Sequence, residues 1–132
     1  MPPFEQLDFI YTPSSDVAAD MQAFAATLGA EIGFAIEAFG TRVAMVQLAQ
    51  GPPHVLLSGH LGGERAVLVY RVPDLAAAVA ELEARGFDAG PQLEIPHGPI
   101  HSFELPGRGH RLAIYELTRP DANTRFEGRR DF

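Results

Sequence analysis

The chain has 132 residues, a length that suits one domain and allows a substantial buried core. With 46% hydrophobic and 20% charged residues, its composition is that of a globular protein and argues against disorder or a coiled coil. The formal net charge of −7 opposes binding to nucleic acid or to an anionic membrane, and the lack of cysteine excludes disulfides and thiolate metal sites.

The N-terminal residues show no basic region followed by an apolar run, so no secretory signal is predicted. No apolar stretch in the chain approaches the roughly 20 residues that span a bilayer. Together with the absence of cysteine, these features lead us to expect a cytoplasmic protein without a membrane partner.

The first half of the chain predicts one strand, one helix and three further strands. Residues 7–12 are apolar, aromatic and β-branched, which is typical of a strand. Asp16 is a good N-cap residue, and Gly29 suits the end of the helix that follows. Between them, apolar side chains recur at helical spacing: Val17, Met21, Phe24 and Leu28. Further strands are predicted at residues 31–37, 41–48 and 53–58.

The second half repeats this order. Residues 67–72 predict a strand, Asp74 begins a helix 58 residues after Asp16, and Gly86 ends it. Three more strands are predicted at residues 89–95, 99–105 and 110–117. We therefore predict a single domain over residues 1–132 that contains two βαβββ modules, at 5–59 and 65–118. A linker at 60–64 joins them, and a C-terminal tail covers 119–132.

Two helices cannot cover both faces of eight strands. If both helices pack on one face, the other face must curl around a space of its own. The predicted fold is therefore α+β, with two tandem βαβββ modules forming a curved, mostly antiparallel sheet around a concave pocket. Such a pocket is a natural site for a small-molecule ligand.

The C-terminal tail is rich in arginine, with Glu127 and Asp131 interrupting the basic residues. Its arginines are Arg119, Arg125, Arg129 and Arg130. One interpretation is a phosphate-binding arm. The other is a polar tail that packs on the surface or on a second subunit through Phe126 and Phe132.

The paired modules resemble the vicinal oxygen chelate superfamily, which includes glyoxalase I, extradiol dioxygenases, fosfomycin-resistance enzymes and bleomycin-resistance proteins. Residues 69–79 look like the superfamily's entry from strand to helix, and residues 109–116 look like its last strand. Residues 24–31 match the end of its first helix. The resemblance covers about residues 5–118 and implies the same paired modules around a ligand site.

Metal-dependent members of this superfamily bind a divalent ion at four strand positions, usually as His or Gln, Glu, His and Glu. These positions correspond here to Phe9, Val67, Ala113 and either Val55 or, with a loop one residue shorter, Leu56. None of these side chains can donate a lone pair to a metal. A slip of one residue would turn each strand to its other face, so it would not restore the site. We predict no metal and no cofactor.

Strand alternation predicts which side chains face the pocket. The predicted lining is Phe9, Tyr11, Val55, Val67, Val69, Arg71, His101, Phe103, Ala113 and Tyr115. An aromatic lining with polar tips suits a flat or amphipathic molecule, and the same residues would equally fill a packed core. Arg71 either clamps a ligand carboxylate or phosphate, or forms an ion pair within the protein.

His97 and His101 are four residues apart, but the nearby prolines and glycine exclude a helix. The spacing therefore does not indicate a helical metal motif. Two interpretations of these histidines remain. Either they form a relocated metal site together with a carboxylate, or one is a loop histidine and the other a pocket histidine. His101 is the best candidate for proton transfer, with Tyr11 or Tyr115 as a hydrogen-bond donor; its alternative is a binding or structural role.

We therefore predict a glyoxalase- or bleomycin-resistance-like protein that binds a small, partly aromatic or amphipathic molecule without a metal. The alternative is a lyase, isomerase or dioxygenase-type enzyme of the same superfamily, using His101 and a tyrosine or a relocated metal site. Binding is favoured over catalysis. A third interpretation, an interaction module, predicts a compact core with no cavity. We also expect a homodimer, because the exposed edges of paired modules invite association.

Overall fold

The computed structural model describes residues 3–38, 40–88 and 90–132, without the side chain of Asn123. Within this part of the chain the strands are β1 (Gln6–Pro13), β2 (Glu31–Ala38), β3 (Thr41–Gln47), β4 (His54–Ser58), β5 (Val67–Val72), β6 (Gln92–Ile95), β7 (Gly98–Glu104) and β8 (Arg111–Glu116). The helices are α1 (Val17–Leu28), α2 (Leu75–Ala84) and α3 (Ala122–Arg125).

This order of elements confirms the two βαβββ modules. The first consists of β1, α1 and β2–β4, and the second of β5, α2 and β6–β8. β6 is shorter than the predicted strand at 89–95, and Ala89 lies outside the described residues. The short helix α3 in the C-terminal tail was not predicted.

All eight strands form one sheet in the order β2-β3-β4-β1-β5-β8-β7-β6. In each module the first strand pairs in parallel with the last, and the other neighbours pair in antiparallel fashion. The modules join through an antiparallel pair between β1 and β5. The sheet curls into a half-barrel whose edge strands are β2 and β6.

The two long helices begin in the same way. The Asp16 Oδ1 atom accepts a hydrogen bond from the Ala19 N–H at 3.0 Å, and the Asp74 Oδ1 atom accepts one from the Ala77 N–H at the same distance. Gly29 ends α1 in the left-handed conformation expected of it. No described helix is both long and apolar enough to cross a membrane.

Each long helix covers the convex face of its own module. Val17 and Met21 of α1 pack with Leu57 of β4, whereas Leu75 of α2 packs with Ile114 of β8. A third buried cluster lies on the concave face and joins residues from both modules: Phe9, Val67, Val69, Ala113 and Tyr115. This arrangement leaves the concave face for the predicted site.

The C-terminal tail packs on its own first module. Phe126 lies against Phe34 of β2, with ring centroids 5.9 Å apart. Phe132 packs on the α1 cluster, and the Arg42 guanidinium lies 4.6 Å from its ring centroid. A parallel bridge also joins Arg130 to Ala35 of β2. The tail is therefore part of the fold.

Candidate functional site

A β-bulge in β1 places an acidic side chain on the concave face. The register with β5 shifts between Leu7 and Phe9, so that Leu7 pairs with Tyr70 and Phe9 pairs with Val69. A bulge re-aims the side chain of the extra residue. Asp8 therefore contacts the concave cluster, whereas strict alternation would have placed it under the helices. Sequence reasoning missed it, although a lone carboxylate in an apolar strand is a detectable signal.

Asp8 is only 7% exposed and is held by polar neighbours. The Tyr115 hydroxyl donates a hydrogen bond to Asp8 Oδ2, and Gln6 Nε2 donates one to Asp8 Oδ1 at 2.5 Å. The Arg71 Nε atom lies 3.8 Å from Asp8 Oδ2 and 3.1 Å from Glu5 Oε1. Partners of this kind are what a buried carboxylate requires.

The Arg71 guanidinium is incompletely satisfied by these contacts. Its contact with Glu5 is an ion pair without good hydrogen-bond alignment, so the buried Nε atom makes no hydrogen bond within the described part of the chain. The same holds for the buried Nδ1 atom of His54, at the start of β4. Both nitrogens belong to residues of the cavity wall.

Burial, together with the adjacent Asp8 carboxylate, raises the pKa of Tyr115 well above its usual range. The phenol therefore stays protonated at neutral pH and acts as a hydrogen-bond donor. Its donated hydrogen bond fixes the position of the Asp8 carboxylate. The pair thus presents an acidic group at a fixed point of the concave face.

A cavity of about 550 Å³ opens beside this pair. Its volume falls within the range of small-molecule sites. Asp8, Phe9, Arg71 and Tyr115 line it from the centre of the sheet. Apolar and polar residues of the first module form a second wall: Ile32, Gly33, Met45, Gln47, Pro52 and His54. Thr124, Glu127 and Gly128 of the tail form the third.

The predicted pocket residues divide into three groups. Phe9, Arg71 and Tyr115 line the cavity. Four others belong to the concave cluster but not to the described lining: Tyr11, Val67, Val69 and Ala113. Arg71 forms the ion pairs of its second interpretation and also lines the cavity, while its role as a clamp for a ligand carboxylate or phosphate stays a prediction. The third group lies on the convex face.

Val55 is the first of the corrected residues. It packs on the α1 cluster, and Leu56 takes the concave position instead. β4 pairs in parallel with β1 so that Leu56 lies opposite Tyr11. The loops before β4 and β8, residues 48–53 and 105–110, are equal in length, so the shift from Val55 to Leu56 does not arise in that loop.

His101 and Phe103 are also corrected to the convex face. His101 pairs with Ile114, which packs under α2, and its Nδ1 atom lies 2.8 Å from the Gly90 carbonyl oxygen. Phe103 packs on the same α2 cluster and against Phe87. Alternation shows that two residues share a face but not which face it is. His101 is thus separated by the sheet from both candidate tyrosines.

Of His97 and His101, His97 is the one on the concave side. Its ring centroid lies 5.5 Å from that of Phe9 and 6.1 Å from that of Tyr115. His97, predicted as the loop histidine, does lie in a turn but on the concave side, whereas His101, predicted as the pocket histidine, lies in β7 on the convex face. The opposite faces of His97 and His101 also exclude a metal site shared by the two.

The donors of the usual superfamily chelate do not fit this chain. At the four corresponding positions the concave face presents only carbon side chains: Phe9, Leu56, Val67 and Ala113. Within residues 3–38, 40–88 and 90–132 there is no group of three His, Asp or Glu side chains that could hold a metal ion. The four positions of the usual chelate therefore supply no metal donor in this chain.

Tyr11 takes part in a separate polar cluster. Its hydroxyl lies 3.2 Å from His60 Nε2, and the Ser58 hydroxyl lies 2.9 Å from His60 Nδ1. Burial raises the pKa of Tyr11 above its usual value. Ser58 is fully buried, so this cluster anchors the end of β4 rather than exposing a nucleophile.

No protein-family model matches the chain, and no curated protein matches it in sequence. Solved structures do match. Methylmalonyl-CoA epimerase from Mycobacterium tuberculosis gives a TM-score of 0.75 at 16% identity, over 92% of this chain and 94% of the epimerase. A variant epimerase from Streptomyces coelicolor, in complex with 2-nitronate-propionyl-CoA, gives 0.69 at 18% identity, over 88% and 99%. A hypothetical protein from Bacillus halodurans gives 0.72 at 13% identity, over 86% and 95%.

Methylmalonyl-CoA epimerase is a member of the vicinal oxygen chelate superfamily, so these matches support the resemblance seen in the sequence. This chain has the vicinal oxygen chelate fold. At such low identities the likeness concerns the fold alone, and the activity has to be argued from the site.

Proposed function

We propose that the protein binds a small amphipathic organic molecule in the concave cavity, without the divalent ion used by metal-dependent superfamily members. The observation that carries this proposal is the cavity itself, where Phe9 and Met45 meet the polar network of Asp8, Arg71 and Tyr115. Apolar walls with a few fixed polar groups are the usual composition of a ligand site. The carbon side chains at the chelate positions support binding without a metal.

The charges around the cavity favour a ligand with a positive end. Asp8, Glu31 and Glu127 line it, and among the described lining residues the one guanidinium is that of Arg71. Arg71 is already paired with Asp8 and Glu5, so the excess of charge is negative. A cationic or donor-rich group would meet these carboxylates, and an aromatic or alkyl body would lie on Phe9. Sequestration of such a molecule, as in bleomycin-resistance proteins, needs no further chemistry.

The homodimer and the cytoplasmic location remain predictions.

The ligand class is tested with three matched probes that differ in charge: 2-phenylethylamine, 2-phenylethanol and phenylacetate. We expect the amine to raise the melting temperature in thermal-shift measurements, and the anion to have little effect. A ligand at 100 times its Kd adds about 2.7 kcal/mol to the free energy of unfolding. Glu31→Gln should weaken amine binding, whereas His101→Ala, on the opposite face, should leave it unchanged. Stabilisation by zinc, nickel or iron with none by organic probes would overturn the proposal.

The buried carboxylate favours a second candidate function, an isomerase-type enzyme. Asp8 lies at the cavity with a fixed donor, Tyr115, beside it and Arg71 close by. In such an enzyme the Asp8 carboxylate would accept a proton from a carbon next to a ligand carbonyl, and Arg71 would stabilise the resulting enolate. The epimerases with the same fold make this class relevant.

This candidate predicts solvent exchange at the acidic carbon of an acyl thioester. Proton NMR in D₂O should show deuterium incorporation with the wild-type protein. Asp8→Asn should abolish the exchange, because the amide is a far weaker base, and His101→Ala should retain it. Equal exchange with and without the wild-type protein would rule this candidate out for the thioester used.

A further inference from the structure

β2 is an edge strand whose composition favours pairing with another chain. It spans Glu31–Ala38, and its neighbour β3 occupies one of its two sides. Residues 32–36 are Ile, Gly, Phe, Ala and Ile, a run with no charge and no proline. An apolar segment of this kind at an uncovered sheet edge is a template for a strand of another molecule. The outer side of β2 is therefore a surface that the fold has to protect.

The C-terminal tail covers this side with backbone hydrogen bonds. The Ala35 N–H donates to the Arg129 carbonyl oxygen at 2.8 Å, and the Asp131 N–H donates to the Ala35 carbonyl oxygen at 2.7 Å. These two bonds form the parallel bridge between Ala35 and Arg130. The end of the tail thus lies where a ninth strand would pair with β2.

Two further hydrogen bonds extend this cover to both sides of the bridge. The Gly128 N–H donates to the Gly33 carbonyl oxygen at 2.8 Å, and the Asp131 carboxylate accepts from the Glu37 N–H at 2.9 Å. The tail therefore binds outward-directed backbone groups of β2 from Gly33 to Glu37. A strand of another chain would need these same groups in order to pair with β2.

Aromatic side chains on both sides of residues 128–131 hold the segment in place. The Phe126 ring packs on Phe34, with ring centroids 5.9 Å apart. Phe132 packs on the α1 cluster, where the Arg42 guanidinium lies 4.6 Å from its ring centroid. The segment is therefore fixed along β2 by packing as well as by hydrogen bonds.

We propose that residues 128–131 are an edge cap, which keeps β2 from pairing with the β2 strand of a second copy of this chain. Two copies that pair in antiparallel fashion around Ala35 would place Glu37 of one opposite Gly33 of the other, so no like charges would meet there. A second copy is thus a partner that suits an uncovered β2. The arginine-rich tail acts in this role through its backbone rather than by binding phosphate, and the predicted homodimer has to form at another surface. This inference does not depend on the function of the cavity.

Self-association, measured by sedimentation velocity at a series of concentrations, tests the cap. Asp131→Pro removes the N–H that bonds to Ala35 and the carboxylate that bonds to Glu37, which should raise the uncapped fraction of each chain about tenfold. Pairing needs an uncapped edge on both copies, so the association constant should rise about a hundredfold. Asp131→Ala keeps the bridge and loses only the bond to Glu37, and it should raise the association constant about tenfold. This milder variant tests the cap even where the proline variant does not fold. Association equal to that of the wild type in every folded variant would overturn the proposal.

Asp121→Ala is the matched control for the change in charge. It removes one negative charge from the same tail, but Asp121 pairs with Arg125, so its loss leaves the bonds to β2 in place. We expect this variant to self-associate like the wild type. A rise as large as that of Asp131→Ala would show that charge repulsion, and not the cap, keeps the copies apart.

A single introduced thiol shows where the copies meet, because the chain has no cysteine of its own. Crosslinking of Glu37→Cys on β2 by a flexible bismaleimide should increase when Asp131→Ala is added. Crosslinking of Gln92→Cys, which is exposed on the opposite edge strand β6, should not increase. An increase at Gln92→Cys alone would place the new contact away from β2 and would overturn the proposal.

Discussion

Asp8→Ala is expected to lower the free energy of unfolding by about 3 kcal/mol. The substitution leaves the buried Tyr115 hydroxyl without its acceptor and removes one of the two carboxylates that face Arg71. The buried Tyr115 hydroxyl would then have no hydrogen bond to compensate for its loss of hydration, which destabilises the folded state. Arg71 would still pair with Glu5, and this remaining ion pair limits the loss of stability. Urea denaturation measures the change.

A double-mutant cycle separates the Asp8–Tyr115 contact from its surroundings. Tyr115→Phe removes only the donor, and we expect it to cost about 1–3 kcal/mol. The double variant should be less destabilised than the sum of the two single variants, since each removes the same hydrogen bond. Asp88→Ala, at an exposed position, serves as the control and should have little effect. Additive losses would show that the two side chains do not interact.

Gly98→Ala should destabilise the protein by about 3 kcal/mol or more. Gly98 has φ of +152°, a conformation that side chains rarely allow. A Cβ atom there would also clash with the Glu116 carbonyl oxygen, and would lie 2.8 Å from Thr118 Oγ1. The backbone oxygen cannot move without disturbing β8, so the turn that carries His97 must shift.

Gly107→Ala is the matched control for this prediction. Gly107 also has a positive φ, of +69°, but a Cβ atom added to it would have no other atom within 4 Å. The cost there should be about 1 kcal/mol, from backbone conformation alone. Thermal or urea unfolding measures the stability of both variants. Gly98→Ala reports a steric clash together with backbone strain, whereas Gly107→Ala reports backbone strain alone. Similar losses at both glycines would contradict the structural explanation for Gly98.

Much of the fold could be predicted from the sequence because its signals are local. Asp16 and Asp74 cap helices whose apolar residues recur at helical spacing, and both caps form as expected. The repeat then implied that each module packs its helix in the same way. The carbon side chains of Phe9, Val67 and Ala113 follow directly from the sequence, and they exclude the usual chelate whatever the surrounding geometry.

The remaining features depend on contacts between distant residues. His101 and Phe103 share a face, but only the pairing of β7 with β8 shows that it is the convex one. A strand with period two looks the same from either side until its neighbours are known. His97 lies in a turn, where strand alternation gives no information. The sequence therefore could not show that His97, and not His101, lies on the concave side.

The charge and composition of the chain, its two modules and its apolar chelate positions were thus determined by the sequence itself. The tertiary structure alone decided that a bulge brings Asp8 to Tyr115 and that the tail reaches across to β2. A bulge changes the phase of a strand through one irregular pair, and a single bridge between Ala35 and Arg130 joins residues far apart in the chain. Neither leaves a periodic pattern, so the polar network and the third wall of the cavity are visible only in the folded chain.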